Sequence, residues 1–378
     1  MLRALVLMSS ILLASSAPAQ TAPSDVPKPE APALKWNDIL PCFTPPDEFK
    51  DKLGDFRSVM KFDDGTGVKT PADWPRRRAE ILKYWHAVMG RWPALVEKPR
   101  VEIVVPAEHV ENFTRTKIRV ETAPDKLQDA YLLVPDGAGP FPAALVVFYD
   151  AESGAGLNEK QRDRTDWGCQ LARRGFVTLS IGGPNAGPNT VQPLSWLAYC
   201  AANANTYLRS RGDVDPRRIG VVGHSFGGKW AMFASCLDER FACAVWCDPG
   251  IVWNEKDPNA NYWEKWYLGF DPALAEQRKP GIPSDANPRT GAYKRLVEER
   301  RDMNELHALM APRPFLVSGG SQDRPEHWVA LNHAIALDRF LGVDARVGMT
   351  MRGGHSPTPE SNAQVLAFFE HFLRSDGR

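Results

Sequence analysis

The chain has 378 residues, of which 43% are hydrophobic and 24% are charged, and its 46 basic side chains balance its 46 acidic ones. Without a basic surface field, neither nucleic acid nor an anionic membrane is an expected partner. No run of about 20 apolar residues follows the N-terminus, so no membrane-spanning helix is predicted.

The N-terminus has the pattern of an export signal. Arg3 precedes a short apolar run, and Ala17-Pro18-Ala19 is a small-x-small cleavage site. We therefore predict a signal peptide over residues 1–19 and a secreted or periplasmic location. Residues 20–35 are rich in Pro, Ala and Ser, which is typical of a flexible leader.

Residues 36–100 are predicted to form an N-terminal helical extension. Within it, Thr70-Pro71-Ala72-Asp73 combines an N-cap residue, a proline at the first helical position and an acidic side chain. A helix is therefore expected from about residue 71 to about residue 90, ending near Gly90.

Over residues 101–378, strands are predicted to alternate with helices, which indicates one α/β catalytic domain. The strands are predicted at 101–105, 117–121, 130–134, 143–149, 176–181, 219–223, 242–247, 314–318 and 346–350. The helices are predicted at about 159–174, 191–211, 226–237 and 358–374. This alternation predicts a mostly parallel central sheet with helices on both faces, interrupted at about 251–310 by an aromatic-rich insertion after the sixth strand.

A nucleophile motif follows the strand at 219–223. The turn Gly223-His224-Ser225-Phe226-Gly227 lies between that apolar strand and a predicted helix, which is the context of the nucleophile elbow in the α/β-hydrolase fold. The elbow is so tight that the positions two before and two after the serine must be glycine. We predict Ser225 as the nucleophile, the backbone N–H of Phe226 as an oxyanion donor, and a structural role for His224.

A serine hydroxyl needs a base within hydrogen-bond reach. His355 lies between the last strand and the last helix, where the chain order serine, acid, histidine places the base. Two acids remain open: Asp323 after the strand at 314–318 is preferred to Asp248 after the strand at 242–247, and Glu326 comes third. The chosen carboxylate would fix the tautomer of the imidazole.

Further site residues are predicted around the elbow. The second oxyanion donor is expected from the backbone near Asp150 or Ala151. Lys229 is a cation in the first turn of a helix, at a cost of about 0.3–1 kcal/mol, so it is expected to meet either a substrate or a neighbouring acid. Trp263 in the insertion and Trp328 are candidates for a substrate-binding wall, with packing against the domain as the alternative.

The stretch from Gly223 to Gly250 resembles the secreted α/β-hydrolase carbohydrate esterases, particularly the glucuronoyl esterases. Acetyl xylan esterases and dienelactone-hydrolase-like proteins share much of the pattern, and the segment over 74–81 also looks like theirs. The family's elbow reads G-C-S-R-x-G-K; Ser225 and Lys229 match it, whereas Phe226 replaces the arginine that helps form the oxyanion hole. The resemblance implies a triad acid at the position of either Asp248 or Asp323.

These features predict a serine-dependent carboxylic ester hydrolase that forms an acyl-enzyme on acetyl, feruloyl or glucuronoyl esters of polysaccharides. Neither a cofactor nor a metal is predicted, because the cysteines and histidines lack ligand spacing. One alternative is a prolyl-oligopeptidase-like serine peptidase, for whose propeller the about 80 residues before the first strand are too few. The other is a non-catalytic binding protein on a hydrolase fold.

Overall fold

The computed structural model describes residues 33–158, 160, 164–184 and 186–374. The predicted signal peptide and most of the predicted leader lie outside these residues. Across the described part of the chain, no helix is both long enough and apolar enough to cross a membrane.

Within the described residues, the centre of the molecule is a nine-stranded sheet. Its strands are β1 (Val101–Val110), β2 (Phe113–Ala123), β3 (Lys126–Pro135), β4 (Phe141–Val147), β5 (Val177–Ile181), β6 (Val214–His224), β7 (Cys243–Cys247), β8 (Phe315–Gly319) and β9 (Val347–Met351). Their spatial order is β1-β2-β3-β5-β4-β6-β7-β8-β9. The pairs that involve β1 to β3 are antiparallel, and all pairs among β4 to β9 are parallel.

Every predicted strand is confirmed, and the three N-terminal ones are longer than predicted. β1 is exposed along almost its whole length, so its sequence carries no apolar run that would mark its end. β4, β5, β7, β8 and the second half of β6 are buried on both faces, which is why these segments are mostly apolar.

The helices cover both faces of the sheet. They are α1 (Trp36–Ile39), α2 (Trp74–Met89), α3 (Ala151–Gly154), α4 (Trp167–Ala172), α5 (Pro193–Ser210), α6 (Phe226–Leu237), α7 (Gly291–Glu298), α8 (Asn304–Ala308), α9 (Trp328–Phe340) and α10 (Pro359–Phe369). Alternate residues of β6 show the two layers: Val221 packs in the core cluster with α5 and α6, whereas Val222 packs in the cluster with α4 and α10.

Two helical predictions need correction. The helix α9 was not predicted, because its buried face includes the polar residues Asn332, His333 and Asp338 and no continuous apolar stripe is left. The helix predicted over 159–174 is present as α4 alone within the described part of that range.

The N-terminal extension is less helical than predicted. It contains α1, two short 3₁₀ turns and α2, and its middle, residues 44–70, is irregular. That middle segment is held to α9 through its backbone: Asn332 Nδ2 donates to the carbonyls of Phe49 at 2.7 Å and Lys52 at 2.8 Å. Such carbonyl contacts do not depend on side-chain type and leave no pattern in the sequence.

The insertion follows the seventh strand in chain order, β7, and not the sixth as predicted. It is mostly irregular and ends in the short helices α7 and α8. Its position after β7 places its first residues at the carboxyl edge of the parallel strands, where α/β folds carry their sites.

Candidate active site

Ser225 lies in a strained turn between β6 and α6. Its φ of 55° and ψ of −111° belong to a backbone region that residues with side chains rarely adopt. A Cβ on Gly223 would collide with the carbonyl of Gly227, and a Cβ on Gly227 would collide with the carbonyl of Val147. Both glycines are therefore required, and the half-buried serine is held at the tip of β6.

The two predicted oxyanion donors follow neighbouring strands. Val147 of β4 pairs with Gly223 of β6, so the chain after each strand reaches the same edge of the sheet. Phe226 is the first residue of α6 and Ala151 is the first residue of α3. The first backbone N–H groups of a helix have no intrahelical acceptor, so both are available to a developing negative charge.

His355 is bound to Asp248. The imidazole Nδ1 lies 2.7 Å from Asp248 Oδ2, with the carboxylate fully buried and the His355 side chain 35% exposed. The His355 ring lies 4.6 Å from the ring of His224, the residue before Ser225. The structure therefore brings a carboxylate–imidazole pair to the elbow, with the imidazole on the accessible side.

The second oxygen of Asp248 is held by the loop after β8. Asp248 Oδ1 accepts hydrogen bonds from the backbone N–H of Gln322 at 3.0 Å and of Asp323 at 2.8 Å. Asp248 itself has a φ of 49°, a left-handed conformation that turns its carboxylate back across the sheet edge. A Cβ on Gly320 would lie 2.8 Å from Asp248 Oδ2, so the loop must be bare at that point.

The preference for Asp323 as the partner of His355 does not hold in the structure. Its carboxylate accepts hydrogen bonds from the N–H of Ile251 at 2.6 Å and of Gly250 at 3.0 Å, and it faces His327 Nδ1 at 3.2 Å. Asp323 thus braces the loop after β7, and the alternative acid, Asp248, reaches His355. Glu326 is exposed in a 3₁₀ turn and approaches neither group.

His224 packs beneath this pair. It is 6% exposed, and its Nδ1 lies 3.3 Å from the carbonyl of Cys247. Burial, followed by the neighbouring His355, lowers the pKa of His224 to about 3. His224 is therefore a neutral packing residue near neutral pH.

Lys229 is buried away from substrate and forms no ion pair with an acid among the described residues. It is 3% exposed, and its ammonium donates to the carbonyls of Pro249 and, at 3.3 Å, Asn259. The ammonium also lies 4.6 Å from the centre of the Tyr262 ring. Burial lowers the pKa of Lys229 to about 8. Lys229 therefore fastens the insertion to α6, and its prediction as a substrate contact is not supported.

The two tryptophans predicted to line the substrate-binding site are core residues. Trp263 is 1% exposed and Trp328, the first residue of α9, is 3% exposed. Neither ring is accessible to a substrate, because the insertion and α9 pack them against the hydrophobic core. Trp266 of the insertion, in contrast, is 42% exposed.

An apolar pocket of about 430 Å³ opens beside Phe226, and sequence reasoning missed it. The aromatic side chains in its wall are Trp196, Phe226, Trp266 and Phe270, and none of its described lining residues is charged. Tyr149 stacks on Phe226 at 4.6 Å between ring centres and extends the apolar surface. The signal for this pocket is the glycine- and proline-rich loop after β5, at the same sheet edge as the elbow.

The described residues contain no group of three or more His, Cys, Asp or Glu side chains that could hold a metal ion. All six cysteines lie in the described part of the chain and are free thiols. Cys243 and Cys247 are buried in β7. Burial raises the pKa of each thiol, so neither is a thiolate near neutral pH.

A parallel sheet with an elbow serine and a carboxylate–imidazole pair at its edge defines a hydrolase of the α/β type. Residues 153–368 match the Alpha/beta hydrolase family, and the chain belongs to that family.

Curated relatives and solved structures extend the comparison. The chain is 25% identical over 334 residues to a 4-O-methyl-glucuronoyl methylesterase of Neurospora crassa, covering 83% of this chain and 80% of that protein. It is 24% identical over 372 residues to 4-O-methyl-glucuronoyl methylesterase 1 of Wolfiporia cocos, covering 90% and 87%. A glucuronoyl esterase from Solibacter usitatus has the same fold, with a TM-score of 0.66, 21% identity, and coverage of 86% of this chain and 99% of that one. The predicted fold, the resemblance to carbohydrate esterases and the enzyme class, a carboxylic ester hydrolase, are confirmed.

Proposed function

We propose that this chain hydrolyses carboxylic esters of polysaccharides through an acyl-enzyme, with Ser225 as nucleophile, His355 as base and Asp248 as acid. The observation that carries the proposal is the 2.7 Å hydrogen bond between His355 Nδ1 and the buried Asp248 carboxylate, beside the strained elbow of Ser225.

The geometry supports the following mechanism. Because Asp248 accepts the Nδ1 proton of His355, the Nε2 atom is left as an acceptor for the hydroxyl proton of Ser225. Attack by Ser225 Oγ on the ester carbonyl places negative charge on the carbonyl oxygen, and the N–H groups of Phe226 and Ala151 stabilise it. His355 then returns the proton to the departing alcohol. Water hydrolyses the acyl-enzyme by the same proton transfers in reverse order.

The pocket beside Phe226 supports an ester that carries an apolar group. Its volume of about 430 Å³ lies within the usual range of small-molecule sites, about 300–1,000 Å³. Where the carbohydrate esterases have an arginine, this chain places the phenyl ring of Phe226, so a charge on that side of the substrate would lack a partner. A feruloyl ester supplies an aromatic ring in its acyl group. A glucuronoyl ester of an aromatic alcohol, related to the substrates named for the curated relatives, supplies one in its leaving group.

A substrate panel with two serine variants tests the proposed function. Acetylated, feruloylated and methyl-glucuronoyl sugars would be assayed with the wild type, Ser225→Ala and the control Ser356→Ala, which removes an exposed serine next to His355. We expect Ser225→Ala to lower kcat/KM by about 10⁴-fold or more and the control to retain activity. Ester hydrolysis that survives Ser225→Ala would refute the mechanism.

We also propose that residues 1–19 are removed on export and that residues 20–35 form a leader before the catalytic domain. The support is the sequence pattern of Arg3, the apolar run and Ala17-Pro18-Ala19. Mass spectrometry of protein expressed in its source cells should find Gln20 at the N-terminus. A retained Met1 or Leu2 would contradict the proposal.

A further inference from the structure

We propose a second carbohydrate-binding site, for an acidic sugar of the polymer, in a cavity between the insertion and the N-terminal extension. The cavity has a volume of about 930 Å³ and lies apart from the elbow, whose residues do not line it. The lining residues on which the argument depends are Phe56, Trp253, Lys256, Tyr293, Arg300 and Asp302.

The apolar part of this lining suits the face of a sugar ring. Phe56 and Trp253 are partly exposed into the cavity, and Tyr293 forms its buried side. Trp253 is fixed in place, because its Nε1 donates to the carbonyl of Arg301 at 2.7 Å and its ring packs against Tyr293 at 5.3 Å between centres. A fixed aromatic face can stack on a sugar without a large loss of side-chain entropy.

A buried hydroxyl in the wall lacks a partner. Tyr293 is 1% exposed, and its hydroxyl makes no hydrogen bond of normal geometry within the described structure, although the Glu255 carboxylate is close enough to act on it. Glu255 is its nearest acid, but that carboxylate is engaged by Arg289, whose Nη2 lies 2.6 Å away. Burial, followed by the neighbouring Glu255 carboxylate, raises the pKa of Tyr293, so the hydroxyl stays protonated. An unpaired buried hydroxyl is costly, and a hydroxyl or carboxylate of a ligand would satisfy it.

The charges of the lining favour an acid. Lys256 and Arg300 are exposed at the cavity and have no carboxylate partner among the described residues. The acids of the lining offset this positive charge only in part. Asp55 is a single exposed carboxylate, and the carboxylate of Asp302 accepts a hydrogen bond from the backbone N–H of Trp253 at 3.1 Å. Burial raises the pKa of Asp302 to about 7, so it is only partly charged near neutral pH. The unpaired charge in the wall is therefore positive on balance, which matches a uronic acid.

The chain links this cavity to the candidate active site. Trp253 lies five residues after Asp248, so the two are at most about 18 Å apart. This distance is short enough for one polysaccharide chain to contact both places. The identity of the ligand rests on the proposed function; the presence of a site there does not.

Binding to the inactive full chain tests this inference. Ser225→Ala would be titrated calorimetrically with a xylo-oligosaccharide that carries glucuronic acid and with the same oligosaccharide lacking it. We expect the acidic oligosaccharide to bind at least about 10-fold more tightly. We expect Lys256→Ala combined with Arg300→Ala to abolish that difference, because those side chains supply the unpaired charge.

Two further variants sharpen the test. The control, Lys265→Ala with Lys279→Ala, removes two exposed cations of the insertion that do not line the cavity and should leave binding unchanged. Tyr293→Phe should weaken binding of both oligosaccharides several-fold without lowering Tm, because the lost hydroxyl has no partner in the free protein. If the hydroxyl of Tyr293 had only a structural role, Tyr293→Phe would lower Tm and leave the affinity for both oligosaccharides unchanged.

The inference is overturned if neither oligosaccharide binds, or if the cavity variants and the control pair behave alike. These outcomes are distinguishable from a failure of the esterase proposal, because they are read as the effect of cavity variants on binding and not as turnover. In the active background, the cavity variants should also turn over p-nitrophenyl acetate at the wild-type rate. A loss of that activity would assign the cavity residues to the catalytic centre and contradict a separate site.

Discussion

Two loops at the edge of the sheet present nearly the same chemistry and do different things. Asp248 after β7 and Asp323 after β8 are both fully buried, and each accepts two backbone N–H groups from the other's loop. The two carboxylates differ in whether an oxygen is left for a histidine near the elbow. Asp248 directs one oxygen to the half-exposed His355, whereas Asp323 uses both on amides and faces the buried His327.

The comparison teaches that a triad acid is defined by its partner and not by its place in the chain. These reciprocal hydrogen bonds hold the two loops together, so each carboxylate is fixed by backbone amides of the loop that carries the other. Only the histidine on the Asp248 side lies beside the elbow. Replacing each carboxylate in turn should therefore separate the effect on catalysis from the effect on the stability of the loops.

The largest expected effect is that of Asp248→Asn. The amide oxygen can keep the hydrogen bonds to Gln322 and Asp323, but it no longer stabilises the His355 imidazolium and favours the wrong tautomer. We expect kcat for a p-nitrophenyl ester to fall by about 10⁴-fold with little change in KM. Steady-state kinetics measures it, and a fall of less than about 10-fold would remove Asp248 from the mechanism.

The next effect is a pH dependence of stability from His224, which contacts the carbonyl before Asp248. Its pKa falls from an ordinary 6.5 to about 3 in the folded protein, so the neutral form is favoured by folding. The free energy of unfolding carries this contribution in full above pH 6.5 and loses it as the pH falls toward 3. The loss amounts to about 3 kcal/mol at pH 4.5. His224→Gln should flatten the loss of stability between pH 7 and 4.5, as followed by chemical denaturation.

The control for this measurement is His109→Gln, which changes an exposed histidine on β1. It should retain the acid dependence of the wild type. Equal slopes for wild type and His224→Gln would show that another group governs acid sensitivity.

Asp323→Asn should be a stability variant. One oxygen of Asp323 can still accept an amide, but a charged acceptor for Gly250 and Ile251 is lost at a fully buried position. We expect a loss of about 1–3 kcal/mol in the free energy of unfolding and less than a 10-fold change in kcat. The reverse pattern, a stable protein without activity, would exchange the roles of the two acids.

The smallest effect concerns a residue outside both loops. Trp266→Ala opens the pocket beside Phe226, so the ratio of kcat/KM for a feruloyl over an acetyl ester should fall about 10-fold. Leu274→Ala, an exposed apolar residue of the insertion that does not line the pocket, is the matched control. An unchanged ratio in Trp266→Ala would mean that the apolar group binds elsewhere.

The sequence predicted those parts of the fold in which burial leaves a pattern. Parallel strands buried on both faces are apolar runs, and the elbow needs two glycines that its backbone geometry makes irreplaceable. The helix α9 and the irregular segment 44–70 were missed because buried polar side chains and carbonyl contacts hold them.

The site was predictable to the level of its loops and no further. Asp248 and Asp323 both follow parallel strands, and only the tertiary structure shows that His355 lies beside Asp248. The exposure of a tryptophan is likewise set by tertiary packing. Trp263 and Trp266 are three residues apart, yet one is buried and the other lines a pocket.

The most direct test of the central claim is the rate at which a fluorophosphonate labels Ser225, read by peptide mass spectrometry. The account predicts labelling at Ser225 in the wild type and at a similar rate in Asp323→Asn. In Asp248→Asn it predicts labelling at least about 100-fold slower, because the base has lost its partner. Labelling at another residue, or a greater loss in Asp323→Asn than in Asp248→Asn, would contradict it.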